Sequence, residues 1–234
     1  MKVFFRCIIC GEKHELEYSD HDDVYMYDCS CGHNSNLLVQ KEKFELLYDM
    51  GIICIKKGFY KEAVSDLASS LERFLEYVIR YILIDTGKQY DDISKVWKSV
   101  KNQSERQYGA FLYLFFNQFD EIKNINEKQV KFRNSVIHQG TFPTESETKE
   151  YAKYVFNYIT DILNILDVEI VEGGLKVSKL FKAQKIIYEQ NPLHAEYNRH
   201  VSFIDIIRKS YKNMDFESIY DTFYQDNTLD VYYG

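Results

Sequence analysis

From Glu42 onward, apolar residues recur at three- and four-residue spacing, the period that lays one face of an α-helix against a core. Phe44, Leu47, Tyr48, Gly51, Ile52 and Ile55 make the first such run, and Gly58 stops it. Tyr60, Ala63, Val64, Leu67, Leu71, Phe74, Leu75, Val78 and Ile82 carry the same spacing up to Thr86-Gly87. A shorter helix follows, with Asp91 or Asp92 as its cap and Ile93, Val96, Trp97 and Val100 inward. Ser104-x-x-Gln107 reads as a capping box that opens a helix through Tyr108, Phe111, Leu112, Phe115 and Phe119. Asn126 is placed to cap the next helix, and Thr144-x-x-Glu147 forms another box. Tyr151, Tyr154, Val155, Tyr158, Ile159, Ile162 and Leu166 then complete a bundle.

The flanks have other rhythms. Short apolar stretches at Val3–Phe5, Leu16–Tyr18, Val24–Tyr27 and Leu37–Val39 alternate with polar turns and predict a small β unit. Beyond the bundle, Gly173-Gly174 between β-branched residues predicts a hairpin over Glu169–Ser178. Ser178–Gln190 reads as a helix ended by Asn191-Pro192. Two amphipathic pieces follow, with Ile204, Ile207 and Tyr211, then Phe216, Ile219, Tyr220 and Phe223, as an appendage on the bundle or on a second subunit. The expected fold is mainly α: an up-and-down helical bundle at 41–167, a small β unit before it at 1–40, and a hairpin and helical appendage at 168–234.

Composition supports helices, with 20 Tyr and 16 Phe against only 2 Pro and 10 Gly. No apolar segment approaches the roughly 18 residues of a membrane span, and Arg6 interrupts the opening Met1–Phe5 stretch before it could serve as a signal peptide. A cytoplasmic location with no membrane partner is therefore expected. Net charge is −7, and no segment forms a basic platform, which argues against strong nonspecific binding to DNA or RNA. Lys128, Lys131 and Arg133 could still supply a local cationic pocket.

Four of the 5 cysteines stand in metal-ligand spacing. Cys7-Ile8-Ile9-Cys10-Gly11 is a CxxCG knuckle, and Cys29-Ser30-Cys31-Gly32 is a tighter CxCG counterpart. Glycine after the second cysteine lets backbone amides turn towards the thiolates. The pair resembles a zinc ribbon, with Cys7, Cys10, Cys29 and Cys31 as ligands and His33 or His14 as possible substitutes. Such a closed site implies structural Zn²⁺, whose binding supplies folding free energy that a 40-residue unit lacks. Residues 1–40 carry net −4, so docking to a protein partner or to the other subunit is favoured over RNA contact. Cys54 lies beside the inward face of its helix and reads as an inert core thiol.

Arg133-Asn134-Ser135-Val136-Ile137-His138-Gln139-Gly140 concentrates the candidate chemistry. Asn134 and His138 share one face of a helix, whereas Arg133 and His138 lie about 140° apart and converge only through the long Arg stem or a second subunit. Gly140 is a C-terminal stop that leaves His138 in the last turn. An imidazole titrating near neutrality beside a guanidinium suits cleavage of an RNA phosphodiester. His194 and His200 flank Asn198-Arg199 with similar residue types, but no cap or loop supports a second site there. The acidic, aromatic end, Asp215–Tyr233, reads as an amphipathic helix, or else as a mimic of RNA covering the cationic pocket.

Arg133-Asn134-x-x-x-His138-x-Gly140, followed by Pro143 and a long Tyr-rich helix, resembles the Rx4–6H signature of the HEPN superfamily. The stretch Ala63…Ser70-Leu71-Glu72-Arg73-Phe74 is similar to the second long helix of those bundles. The resemblance spans about 42–167 and implies an endoribonuclease that needs no metal for catalysis, its site formed across a homodimer. His138 would move protons between the 2′-hydroxyl and the leaving oxygen, Arg133 would bind the scissile phosphate, and Asn134 would orient substrate or His138. The expected products are a 2′,3′-cyclic phosphate and a 5′-hydroxyl. The resemblance further implies a toxin or antiviral, abortive-infection effector acting on RNA and restrained by an antitoxin or regulatory partner. The alternative is a non-catalytic HEPN module that binds a nucleotide or a partner protein, with the ribbon as docking element.

Overall fold

A computed structural model of the chain describes residues 2–7, 9–17, 24–39, 41–172, 174–180, 196–198, 203, 204, 206, 212 and 215–223. Strands β1 (Lys2–Arg6), β2 (Lys13–Glu17), β3 (Val24–Asp28) and β4 (Asn34–Val39) come first. Helices α1 (Lys43–Lys56), α2 (Tyr60–Asp85), α3 (Tyr90–Trp97), α4 (Ser104–Phe119), α5 (Glu127–His138) and α6 (Glu145–Leu166) follow. Then come β5 (Glu169–Glu172), β6 (Leu175–Ser178), β7 (Glu196–Asn198) and α7 (Phe216–Phe223). The protein is mainly helical with a few short strands.

The three-and-four spacing explains why α2 lies at the centre. Val64, Leu67, Phe74, Val78 and Ile82 are almost wholly withdrawn from solvent, on the side facing α1, α4, α5 and α6. Buried hydroxyls are satisfied across elements: Tyr48 donates to the Ala152 carbonyl at 2.8 Å, Ser70 to Phe44 at 2.8 Å and Tyr81 to Leu166 at 3.0 Å. α1 lies close against α2 at Gly51, where a Cβ would lie 2.7 Å from Leu67 Cγ.

Several local expectations are met. The Thr144–Glu147 box forms in both directions, Asn126 caps α5, and β5 pairs with β6 as an antiparallel hairpin. Two are corrected. Ser104 is not an N-cap: Gln103 holds that position without a side-chain bond, while the buried Gln107 amide donates to the carbonyls of Val100 and Lys101. The burial of Gln107 among backbone acceptors withdraws it from the reciprocal box. Val96 points outward at 66% exposure, because the short α3 turns Ile93 and Trp97 inward instead. The helix expected over 178–190 and the residues His194, Arg199 and His200 lie largely or wholly outside the described residues.

Residues after the hairpin return to the bundle. Phe203, Ile204, Ile206, Phe216 and Phe223 join the same core as α1, α2 and α6. Two buried acids of α1 receive the returning backbone: Asp49 Oδ1 accepts from the Phe203 N–H at 2.7 Å, and Glu45 Oε1 from Ile206 at 3.0 Å. β7 pairs in parallel with β4, Leu37 opposite Glu196, a connection that the sequence pattern did not indicate.

Candidate functional site

Helix α5 is held at both ends by bonds that its sequence makes possible. Asn126 Oδ1 accepts from the Lys128 N–H at 2.8 Å and starts the helix. The loop before it is pinned from behind: the hydroxyls of Tyr108 and Tyr154 accept from the N–H groups of Ile125 and Asn126, each at 2.9 Å. Tyr158 donates to the Lys123 carbonyl at 2.7 Å. Burial pushes the Tyr154 and Tyr158 phenols up, so both stay neutral at ordinary pH. At the far end Gly140 takes φ +75°, and the Thr141 N–H returns to the Ser135 carbonyl at 3.1 Å.

Rotation about α5 then sets each candidate side chain. Val136 is fully buried, and the Phe132 ring lies 5.5 Å from that of Tyr151. Arg133, about 60° from Val136, is half-buried at the flank; His138, about 200° away, is exposed in the last turn. Arg133 Nη2 donates to Glu72 Oε1 of α2 at 2.7 Å, and Nη1 donates to Asn134 Oδ1 at 3.1 Å. Among the described residues His138 makes no hydrogen bond or ion pair. Asn134 and His138 share the outer face as expected, but Asn134 bonds to Arg133. Within one chain no contact joins Arg133 to His138.

An open cleft of about 690 Å³ lies between α2, α4, α5 and α6. Its lining includes Leu71, Tyr108, Tyr151, Tyr154 and Arg133, together with Glu72, Glu105, Glu127 and Lys131; Asn134 and His138 lie outside it. The expected cationic pocket is thus reduced: Lys128 pairs with Glu150 at 3.2 Å on the surface and Arg133 with Glu72, leaving exposed Lys131. Glu72 is the partner that sequence reasoning missed as a site residue. Its signal was a charge one position past inward Leu71, at the margin of the apolar face of α2.

The acidic end does not cover this cleft among the described residues. Glu217 of α7 bonds to Lys149 at 2.8 Å and Lys153 at 3.1 Å, and the ammonium groups of Lys56 and Lys149 lie 3.8 and 4.3 Å from the centre of the Tyr220 ring. Cys54 donates weakly to Asp66, and burial pushes its thiol up to about 11, consistent with an unreactive core position.

Cys7, Cys10, Cys29 and Cys31 come together, their sulfurs all within 4.8 Å of one another. Cys7 and Cys31 are 3.8 Å apart and Cys10 and Cys29 3.4 Å. A tetrahedral ion with bonds of about 2.3 Å needs sulfurs roughly 3.8 Å apart, so the set is compatible with zinc. His33 Nδ1 lies 3.4 Å from the Cys7 sulfur, where it can hold that thiolate. Glu12 and His14 gather around Cys29 as a second, mixed group. No helix among the described residues is long and apolar enough to cross a membrane. Compared with protein-family models, curated proteins and solved structures, the chain matches none.

Proposed function

We propose that the chain is a HEPN-type endoribonuclease whose catalysis needs no metal, acting as a homodimer in toxin or antiviral defence. The reading is carried by α5, which presents Arg133 at the wall of an open cleft and His138 exposed at its last turn, neither lost in the core. His138 would take the proton of the 2′-hydroxyl and return one to the leaving 5′-oxygen, which fits an imidazole without a structural partner. Arg133 would bind the scissile phosphate and stabilise charge in the transition state. Because the two side chains leave α5 in different directions, the full site needs Arg133 of one copy beside His138 of a second. The four thiolates would hold structural Zn²⁺ and close the N-terminal unit as a ribbon that docks a regulatory protein or antitoxin; the metal's chemistry there is confined to folding.

One observation favours a second reading. Three carboxylates line the cleft against two cations, an excess of negative charge that disfavours phosphates and suits, of the non-catalytic alternatives, a module that binds a partner protein without cutting RNA. A single experiment separates the two. Wild type and His138→Ala are incubated with labelled RNA in magnesium-free buffer, and the 3′ ends are analysed. Cleavage by wild type alone, ending in cyclic phosphate, is the expected result; equal background in both removes the enzyme.

A further inference from the structure

The guanidinium of Arg133 already holds an anion that belongs to the chain. Its Nη2 donates to Glu72 at 2.7 Å, linking positions 61 apart in sequence. The neighbouring arginines of α2 behave differently, since Arg73 and Arg80 both pair with Glu76 within their own helix. Both side chains of the Glu72–Arg133 pair keep about a third of their surface or less, 32% and 27%, and both line the cleft, so a ligand from solvent can reach them. No other ion pair involves Glu72 or Arg133 among the described residues.

A carboxylate and a phosphodiester offer a guanidinium the same thing: two oxygens sharing one negative charge, matched to the same fork of donors. We infer that Glu72 occupies the phosphate place on Arg133 and acts as an internal competitor that any oligonucleotide backbone must displace. The inference rests on reading Arg133 as a phosphate-binding residue. It makes Glu72 an affinity-setting residue of that site. A free carboxylate cannot improve on a tethered one, whereas an RNA strand brings further phosphates, such as one for exposed Lys131, and can win the exchange. The pair is partly solvated, so the exchange should weaken binding only about fivefold.

The test uses the full chain and a short fluorescein-labelled 2′-O-methyl RNA, which cannot be cleaved because the attacking hydroxyl is blocked. Anisotropy gives its affinity for wild type, Glu72→Gln, Arg133→Gln and the double variant. Glutamine keeps the size and one acceptor oxygen of Glu72, removes its charge and exchanges the other oxygen for an NH2 donor. Glu72→Gln should bind about fivefold tighter, and most of that gain should vanish when Arg133 is also replaced. Glu105→Gln removes another carboxylate of the same cleft and should change affinity far less. Should Glu72→Gln not fold, Glu72→Asp, whose shorter arm holds Arg133 less well, should give part of the gain. Unchanged or weaker binding by a folded Glu72 variant overturns the inference, as does an equal gain from Glu105→Gln or a gain that survives loss of Arg133. If wild type fails to cut RNA yet the Arg133-dependent gain is seen, the ribonuclease reading falls and the inference stands. Cleavage without any gain has the reverse meaning.

Discussion

Asn134 Oδ1 accepts from Arg133 Nη1 at 3.1 Å, so these sequence neighbours are also partners in space. Together with the bond from Nη2 to Glu72 it holds two of the guanidinium nitrogens, and so the orientation of the group. On the proposed ribonuclease reading Asn134 would be a positioning residue that acts through Arg133, although its place on α5 also suits contact with His138. Asn134→Ala should lower RNA cleavage by up to about 10²-fold, and Asn134→Gln, which keeps a neutral amide acceptor, should restore part of it. Stability should change by less than about 0.5 kcal/mol, since the residue is half-exposed. Single-turnover cleavage rates beside thermal melts check this, and an Ala variant as fast as wild type would sink it.

The parts of the fold that could be read from the sequence are those with local causes. Gly58, Gly87 and Gly140 take positive φ where helices end, and Asn126 and Thr144 bond within three residues of themselves. Long-range partners left no such trace. Asp49 and Glu45 look like charges out of place on an apolar face until they receive backbone N–H groups 154 and 161 positions away. Gln107 matches a capping box in sequence but is claimed by the carbonyls of the preceding turn. The candidate site divides in the same way. The last-turn position of His138 follows from Gly140, whereas the Glu72–Arg133 pair joins two helices whose contact no local pattern encodes.

Two glycines inside helices should respond oppositely to alanine. At Gly51 the new Cβ would lie 2.7 Å from Leu67 Cγ and 2.9 Å from Cδ2, and Leu67 is fully buried between α1 and α2. Gly51→Ala should cost about 1–3 kcal/mol through overpacking. At Gly109 in α4 nothing lies within 4 Å of an added Cβ, so Gly109→Ala should gain about 0.5–1 kcal/mol by restricting the unfolded chain. Denaturant midpoints at matched m-values measure both, and shifts of the same sign would contradict the close approach at Gly51.

The four clustered thiols should not enter metal binding in the same protonation state. Burial pushes Cys7 up, but the N–H groups of Cys10 and Ile9 and the His33 ring outweigh it and bring the thiol down to about 5. At Cys29 the Cys31 N–H pulls down, yet burial and the Glu12 carboxylate prevail and raise it to about 11. Cys10 receives the Glu12 N–H and Cys31 the His33 N–H, but burial and neighbouring thiols leave both above the ordinary 9.0. At neutral pH the metal-free unit thus carries one thiolate and three thiols. Binding Zn²⁺ to all four sulfurs releases about three protons there. Affinity must therefore rise with pH by about three log units per unit between about pH 5 and 9, and more steeply below pH 5, where Cys7 also holds its proton. Calorimetric zinc titrations in buffers of different ionisation enthalpy count the protons directly. Release of four at neutral pH would show that the Cys7 thiolate is not preformed, and release of one or two that not every cysteine becomes a ligand.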